Sequence, residues 1–190
     1  MPLAYLPPST ADLRQGEILG NVWEYRSGTT SLVSEDIQPK VASVHHPLLL
    51  VLTADCDLLS DFRIRFPQGE LLARPYDSPD DHRILAYVLA CDLHDSESFV
   101  GQIEGKDIRR RVRQNQDERY HCLNSVGETR ANLRAAVMDF RMAVAISTVG
   151  LYQGIIDGSV ARLAIVPPIY LHDMVHRFYA FLSRVGLPDE

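Results

Sequence analysis

The chain of 190 residues is short of cysteine, of long apolar runs and of positive charge, and each shortage narrows its class. Its three cysteines, Cys56, Cys91 and Cys122, are an odd number scattered along the sequence. That pattern argues against a disulfide framework and for a reducing, cytoplasmic setting. No apolar run approaches the roughly 18–20 residues that cross a bilayer, so no membrane span is expected. The opening residues, Met1 to Pro8, lack a basic segment and are broken by proline, unlike a signal peptide. Nineteen Lys and Arg stand against 25 Asp and Glu, and the net charge of −6 disfavours binding a polyanion over the whole surface. Internal repeats and low-complexity tracts are absent as well.

What is present fits one domain over residues 1–190. A hydrophobic fraction of 46% supports a full core without staples. Leu48 to Thr53 are six consecutive aliphatic or β-branched residues, the signature of a central strand buried on both faces. Further strands are expected at 16–25, with a bend or bulge at Gly20, at 40–44, 69–76, 119–123, 137–146 and 159–166. Ser/Thr/Gly-rich residues 26–36 read as a loop, and polar residues 124–132 as a turn.

Ser78, Pro79 and Asp81 form a helix-start signal, which predicts a helix over 79–91. A second, peripheral helix is expected over 106–116, so that 79–116 form a helical insertion. Leu171, Met174, Val175, Phe178, Phe181, Leu182 and Val185 make one apolar stripe, which predicts an amphipathic C-terminal helix over 169–186. Strands in runs rather than in alternation with helices indicate α+β with a mostly antiparallel sheet. Short strands with Gly and Pro breaks over 13–76 and 119–166 suit a small curled barrel.

Chemistry-bearing residues concentrate just after the central strand, where Asp55, Cys56 and Asp57 lie side by side. Cys56 has three roles open to it: a small buried hydrophobe, a metal ligand or a nucleophile. The flanking acids work against thiolate formation. No CxxC or HxxxH pair stands beside Cys56, so a zinc site would be assembled from distant pieces: Cys56, Cys91 or His94, and His121 or Cys122. The two aspartates either cap a turn or form a paired-carboxylate face for a cation. Asp55, Cys56, Asp57 and His121 are therefore the expected binding residues, and Cys56, His121 and Cys91 the expected zinc ligands.

Arg109, Arg110, Arg111 and Arg113 are a local basic patch. They serve a nucleic-acid partner only if they converge on one groove. His172 and His176 are one turn apart on the last helix. Asp173 and Arg177 have the spacing of an ion pair. Asp139 is expected on an exposed polar face, and His45-His46 as an exposed structural pair.

Gln15 to Leu19, His46 to Leu52 and Glu70 to Pro75 together resemble the opening strands of the MazF/PemK-type toxins, which are small SH3-like barrels that cleave single-stranded RNA. The resemblance covers residues 15–76 and implies an SH3-like barrel. That family places an arginine before its second strand and a Ser/Thr after its third, where this chain has His46 and Arg74-Pro75.

Three functions follow as expectations. The first is an intracellular binding, adaptor or sensor module with a protein partner, which suits the acidic surface and the exposed aromatics Trp23 and Tyr25. The second is an endoribonuclease-like or metal-assisted hydrolase centred on Asp55, Cys56 and His121. The third is a structural partner whose last helix completes a homo-oligomer.

Overall fold

The computed structural model describes residues 12–29, 39–71, 74–78, 80–123 and 135–184. In chain order the elements are β1 (Glu17–Thr29), β2 (Pro39–Val51), α1 (Asp55–Arg65), β3 (Tyr87–Asp92), β4 (His94–Asp95), α2 (Ser96–Gln102), α3 (Lys106–Arg113), β5 (Tyr120–Leu123), β6 (Ala136–Asp139), β7 (Ala143–Ser147), α4 (Thr148–Asp157), β8 (Ala161–Ile165) and α5 (Pro168–Leu182). A single 3-10 turn, Phe140–Met142, separates β6 from β7. The protein is α+β. A five-stranded antiparallel sheet runs β7-β3-β2-β1-β8, and a three-stranded one runs β4-β6-β5. Neither closes into a barrel, so the SH3-like barrel expected from residues 15–76 is not formed.

The central position of the apolar run is as its sequence requires. Leu49, Leu50 and Val51 are fully buried in β2, the middle strand. Their side chains alternate between two cores. Leu50 joins Ile18, Cys91, Met138, Met174 and Phe178 on one face of the sheet. Leu49 and Val51 join Leu19, Val88, Leu58, Phe62 and Tyr152 on the other. The central sheet is thus sandwiched, with α1 and α4 on one side and the small sheet with α5 on the other. A third cluster, Val100, Val112, Tyr120, Cys122 and Val137, fixes α2 and α3 to the outer face of the small sheet.

Several elements depart from expectation. The strand expected at 40–44 and the central strand expected from Leu48 are one strand, β2, which ends at Val51 rather than Thr53. The first strand extends to Thr29, so that residues 26–29 of the expected loop are ladder. Asn21, in the left-handed region at φ 60°, and Pro47 are missing from an otherwise continuous β1–β2 register. Leu19 and Val22 share one core although three residues apart, and the β1–β8 register shifts between Ile18 and Leu19, so irregularities flank the expected Gly20 on both sides.

At its described residues, the helix expected over 79–91 is instead a turn followed by β3. The Asp81 carboxylate accepts from the Arg83 N–H and side chain, which closes a turn with the acid expected in the first turn of a helix. The strand expected at 69–76 is not formed at its described residues. The strand expected at 137–146 is two strands in two sheets, because the Asp139 side chain accepts from the Arg141 N–H and caps the 3-10 turn between them. The insertion 79–116 holds α2 and α3 but also β3 and β4. The 124–132 turn lies outside the described residues. The helix expected over 169–186 is α5, which starts at Pro168 and ends at Leu182 with Ser183 as its C-cap, short of the expected end.

Candidate functional site

Asp55, Cys56 and Asp57 form the first turn of α1, whose Leu58 and Phe62, four apart, are buried in the core. Acids suit a helix N-terminus, where unpaired N–H groups and the helix dipole favour negative charge. The Asp55 carboxylate accepts from Arg14 Nε at 3.1 Å and Nη2 at 3.0 Å and from the Gln15 N–H at 2.7 Å. Burial pushes this carboxyl up, but the Arg14 and Gln15 hydrogen bonds outweigh it and hold it below the usual carboxylate range. Asp55 therefore ties the entry to β1 onto α1. Cys56 and Asp57 are exposed, and the Cys56 thiol lies 3.7 Å from Asp57 Oδ1.

The structure does not bring Cys56, Cys91 and His121 together. Cys56 is on α1, which packs on one side of the central sheet; Cys91 belongs to the core on the other side. Burial pushes the Cys91 thiol up to about 12, and its Sγ points at the Asp139 carbonyl at 3.4 Å. His121 is buried beside Phe140, and desolvation followed by the Arg177 charge pushes its ring down to about 4. Cys122 faces the third cluster, and His94 stacks on Phe99. Among the described residues no group of three or more His, Cys, Asp or Glu is placed to hold a metal ion.

Asp139, expected on an exposed face, is buried and paired with Arg119. Arg177, expected to pair with Asp173, donates instead to the carbonyls of Asn115, Asp117 and Tyr120, which straps α5 to the segment entering β5. His172 and His176 are exposed on α5.

His46 was expected in an exposed pair, yet it is 2% exposed. Its Nδ1 lies 2.8 Å from Asp92 Oδ1 and its Nε2 3.2 Å from Glu24 Oε2, and Glu24 in turn holds Arg26 through two hydrogen bonds at 2.7 Å. The chain Asp92–His46–Glu24–Arg26 crosses three adjacent strands and locks the far half of β1 in place. The Arg26 hydrogen bond, partly opposed by burial, keeps the Glu24 carboxyl below its usual range. His46 and its partners are 22 and 46 positions apart, so local sequence reading cannot assemble them.

That half of β1 borders a groove of about 970 Å³, whose other wall is the end of β7 and α4. All six residues from Asn21 to Arg26 line it, together with Tyr87, Gln153 and Asp157. Three aromatic rings stand in it largely exposed: Trp23 at 47%, Tyr25 at 73% and Tyr87 at 62%. Trp23 stacks on its cross-strand partner His45 with ring centroids 4.6 Å apart, which holds the indole plane. Hydrogen bonds from the Ser159 hydroxyl and N–H hold the Asp157 carboxyl below its usual range. The strand pairing makes this region unusual. β8 pairs with β1 only from Glu17 to Gly20, and β2 covers the opposite edge, so beyond Gly20 one edge of β1 has no strand partner among the described residues. The sequence signal for this site is the exposed aromatic pair Trp23 and Tyr25.

A second surface gathers the basic run. Lys106, Arg109, Arg110 and Arg113 line one hollow of about 370 Å³ on α3, while Arg111 turns away to Asp117. No family model, curated protein or solved structure matches the chain.

Proposed function

We propose that the protein is a binding module that takes an extended peptide segment of a protein partner along the free edge of β1. The observation that carries this reading is the coincidence of an unpaired strand edge with the walls of the groove, from Asn21 to Arg26. Unpaired N–H and C=O groups at an edge accept an added strand, whose backbone supplies affinity while side-chain contacts supply specificity. Trp23, Tyr25 and Tyr87 offer rigid apolar contact at low entropic cost. Glu24 and Asp157 remain ionised and Arg26 is engaged by Glu24, so the groove carries net negative charge and favours a segment with a basic residue.

Trp23 is the single tryptophan of the chain, so its emission reports occupancy directly. Selection of seven-residue peptides from a display library, followed by titration against Trp23 fluorescence, tests the proposal. Selected sequences should alternate β-branched or aromatic residues and carry Lys or Arg. N-methylation at alternate backbone positions should abolish their binding. Absence of enrichment, or binding that tolerates every N-methyl substitution, would count against strand addition.

A further inference from the structure

The groove leaves the basic helix unused. We infer that α3 is a second, independent binding surface, for the phosphate backbone of duplex DNA. From Lys106 to Gln114 the chain carries five cations against one acid, Asp107, in a protein of net charge −6. Helical spacing gathers Lys106, Arg109, Arg110 and Arg113 onto one face with Gln114. Val112, three residues beyond Arg109 and at the border of this face, is fully buried in the cluster that anchors α2 and α3 to the small sheet. Lys106, Arg110 and Arg113 are exposed and Arg109 is half-buried beside this anchor.

Lys106, Arg109 and Arg113 have no ion-pair partner among the described residues, and Arg110 meets Asp107 only at 3.5 Å on an exposed surface. Such a pair contributes little and leaves the guanidinium available. The local architecture also suits DNA. α2 and α3 are consecutive short helices joined by Ile103, Glu104 and Gly105, the last at φ 90°. DNA-binding helix pairs present their second helix in this way, and a major groove about 12 Å wide admits a helix.

Fluorescence anisotropy of a labelled 20-base-pair duplex at several salt concentrations tests the inference. Four phosphate contacts correspond to a slope of log affinity on log salt of about −3 to −4, or roughly a hundredfold loss between 50 and 200 mM. The double variant Arg109→Gln/Arg113→Gln should bind at least tenfold more weakly with a slope shallower by about 2, and Lys106→Gln, at an exposed position, by about 1. Arg111→Gln removes the same charge from the far side of the helix and should change affinity less than twofold. Equal losses in Arg111→Gln and Arg113→Gln, a salt-insensitive interaction, or binding to vesicles rich in anionic lipid without binding to the duplex would each overturn it. Peptide titration of the Trp23 groove should be unaffected by any of these variants, which separates this surface from the groove.

Discussion

Asp61 and Arg65 face each other one turn apart on α1, 2.9 Å between Oδ1 and Nε, with neither side chain touching solvent. The pair is a clamp as well as an ion pair. Arg65 donates to the carbonyls of Tyr76 and Leu85, and Asp61 accepts from the Leu85 N–H, so the segment leading into β3 is pinned to α1. Arg65→Met strands a buried carboxylate and should cost about 3–5 kcal/mol in urea unfolding at neutral pH. Burial already raises the Asp61 carboxyl above its usual range. A raised acid favours the folded state when protonated, so the deficit of Arg65→Met should shrink as pH falls toward 4. A deficit that is unchanged between pH 7 and pH 4 would contradict the clamp.

Asp55 should show the opposite pH dependence. Its carboxyl is depressed in the folded state relative to the ordinary 3.8, so its contribution is fully present above that value and is lost as pH falls through the lower folded value. Wild type should therefore lose more stability than Asp55→Asn below about pH 4, with the two curves converging. Parallel curves from pH 7 to pH 2 would remove the Arg14–Asp55 tie from the energetics.

The three thiols should divide into one and two. Cys56 is exposed, whereas burial pushes both Cys91 and Cys122 up. A disulfide reagent at pH 8 should titrate a single thiol in the native protein and all three in denaturant. Cys56→Ser should abolish the native reaction. Two fast native thiols would mean that one of the cores opens.

Phe178 sits fully inside the core between the central sheet and α5, edge-on to Phe140 at 5.4 Å between centroids. Phe178→Ala should cost about 3–5 kcal/mol, read from denaturant melts. A variant that melts within a degree or two of wild type would contradict this packing.

The parts legible in sequence were those whose burial leaves a continuous pattern. Leu48 to Leu52 have apolar neighbours on both faces, and the stripe through Met174 and Phe178 repeats at helical spacing. Misreadings arose where one local signal serves two structures. Asp81 can belong to a helix start or close a turn, and Val88 and Leu89 continue an apolar spacing that also fits a strand buried on both faces, with Val88 in one core and Cys91 in the other. The alphabet of Val137 to Ile146 is strand-like throughout, and only the Asp139 cap divides it. The site was half legible. Trp23 and Tyr25 are visible as exposed aromatics, but the edge beside them has no strand partner among the described residues because β8, some 140 residues later, stops pairing at Gly20. The Asp55–Cys56–Asp57 cluster, conspicuous as a string, resolves into a helix start with one acid already engaged.

The most direct test of strand addition is amide hydrogen exchange from Asn21 to Arg26, measured by NMR without and with a saturating selected peptide. β2 protects one alternating set of these amides, and the other set faces the groove. The outward set should exchange rapidly in the free protein and become protected when the peptide binds, while the set bonded to β2 stays unchanged. Peptide binding that quenches Trp23 and leaves the outward amides exchanging at their free rate would contradict an added strand on β1.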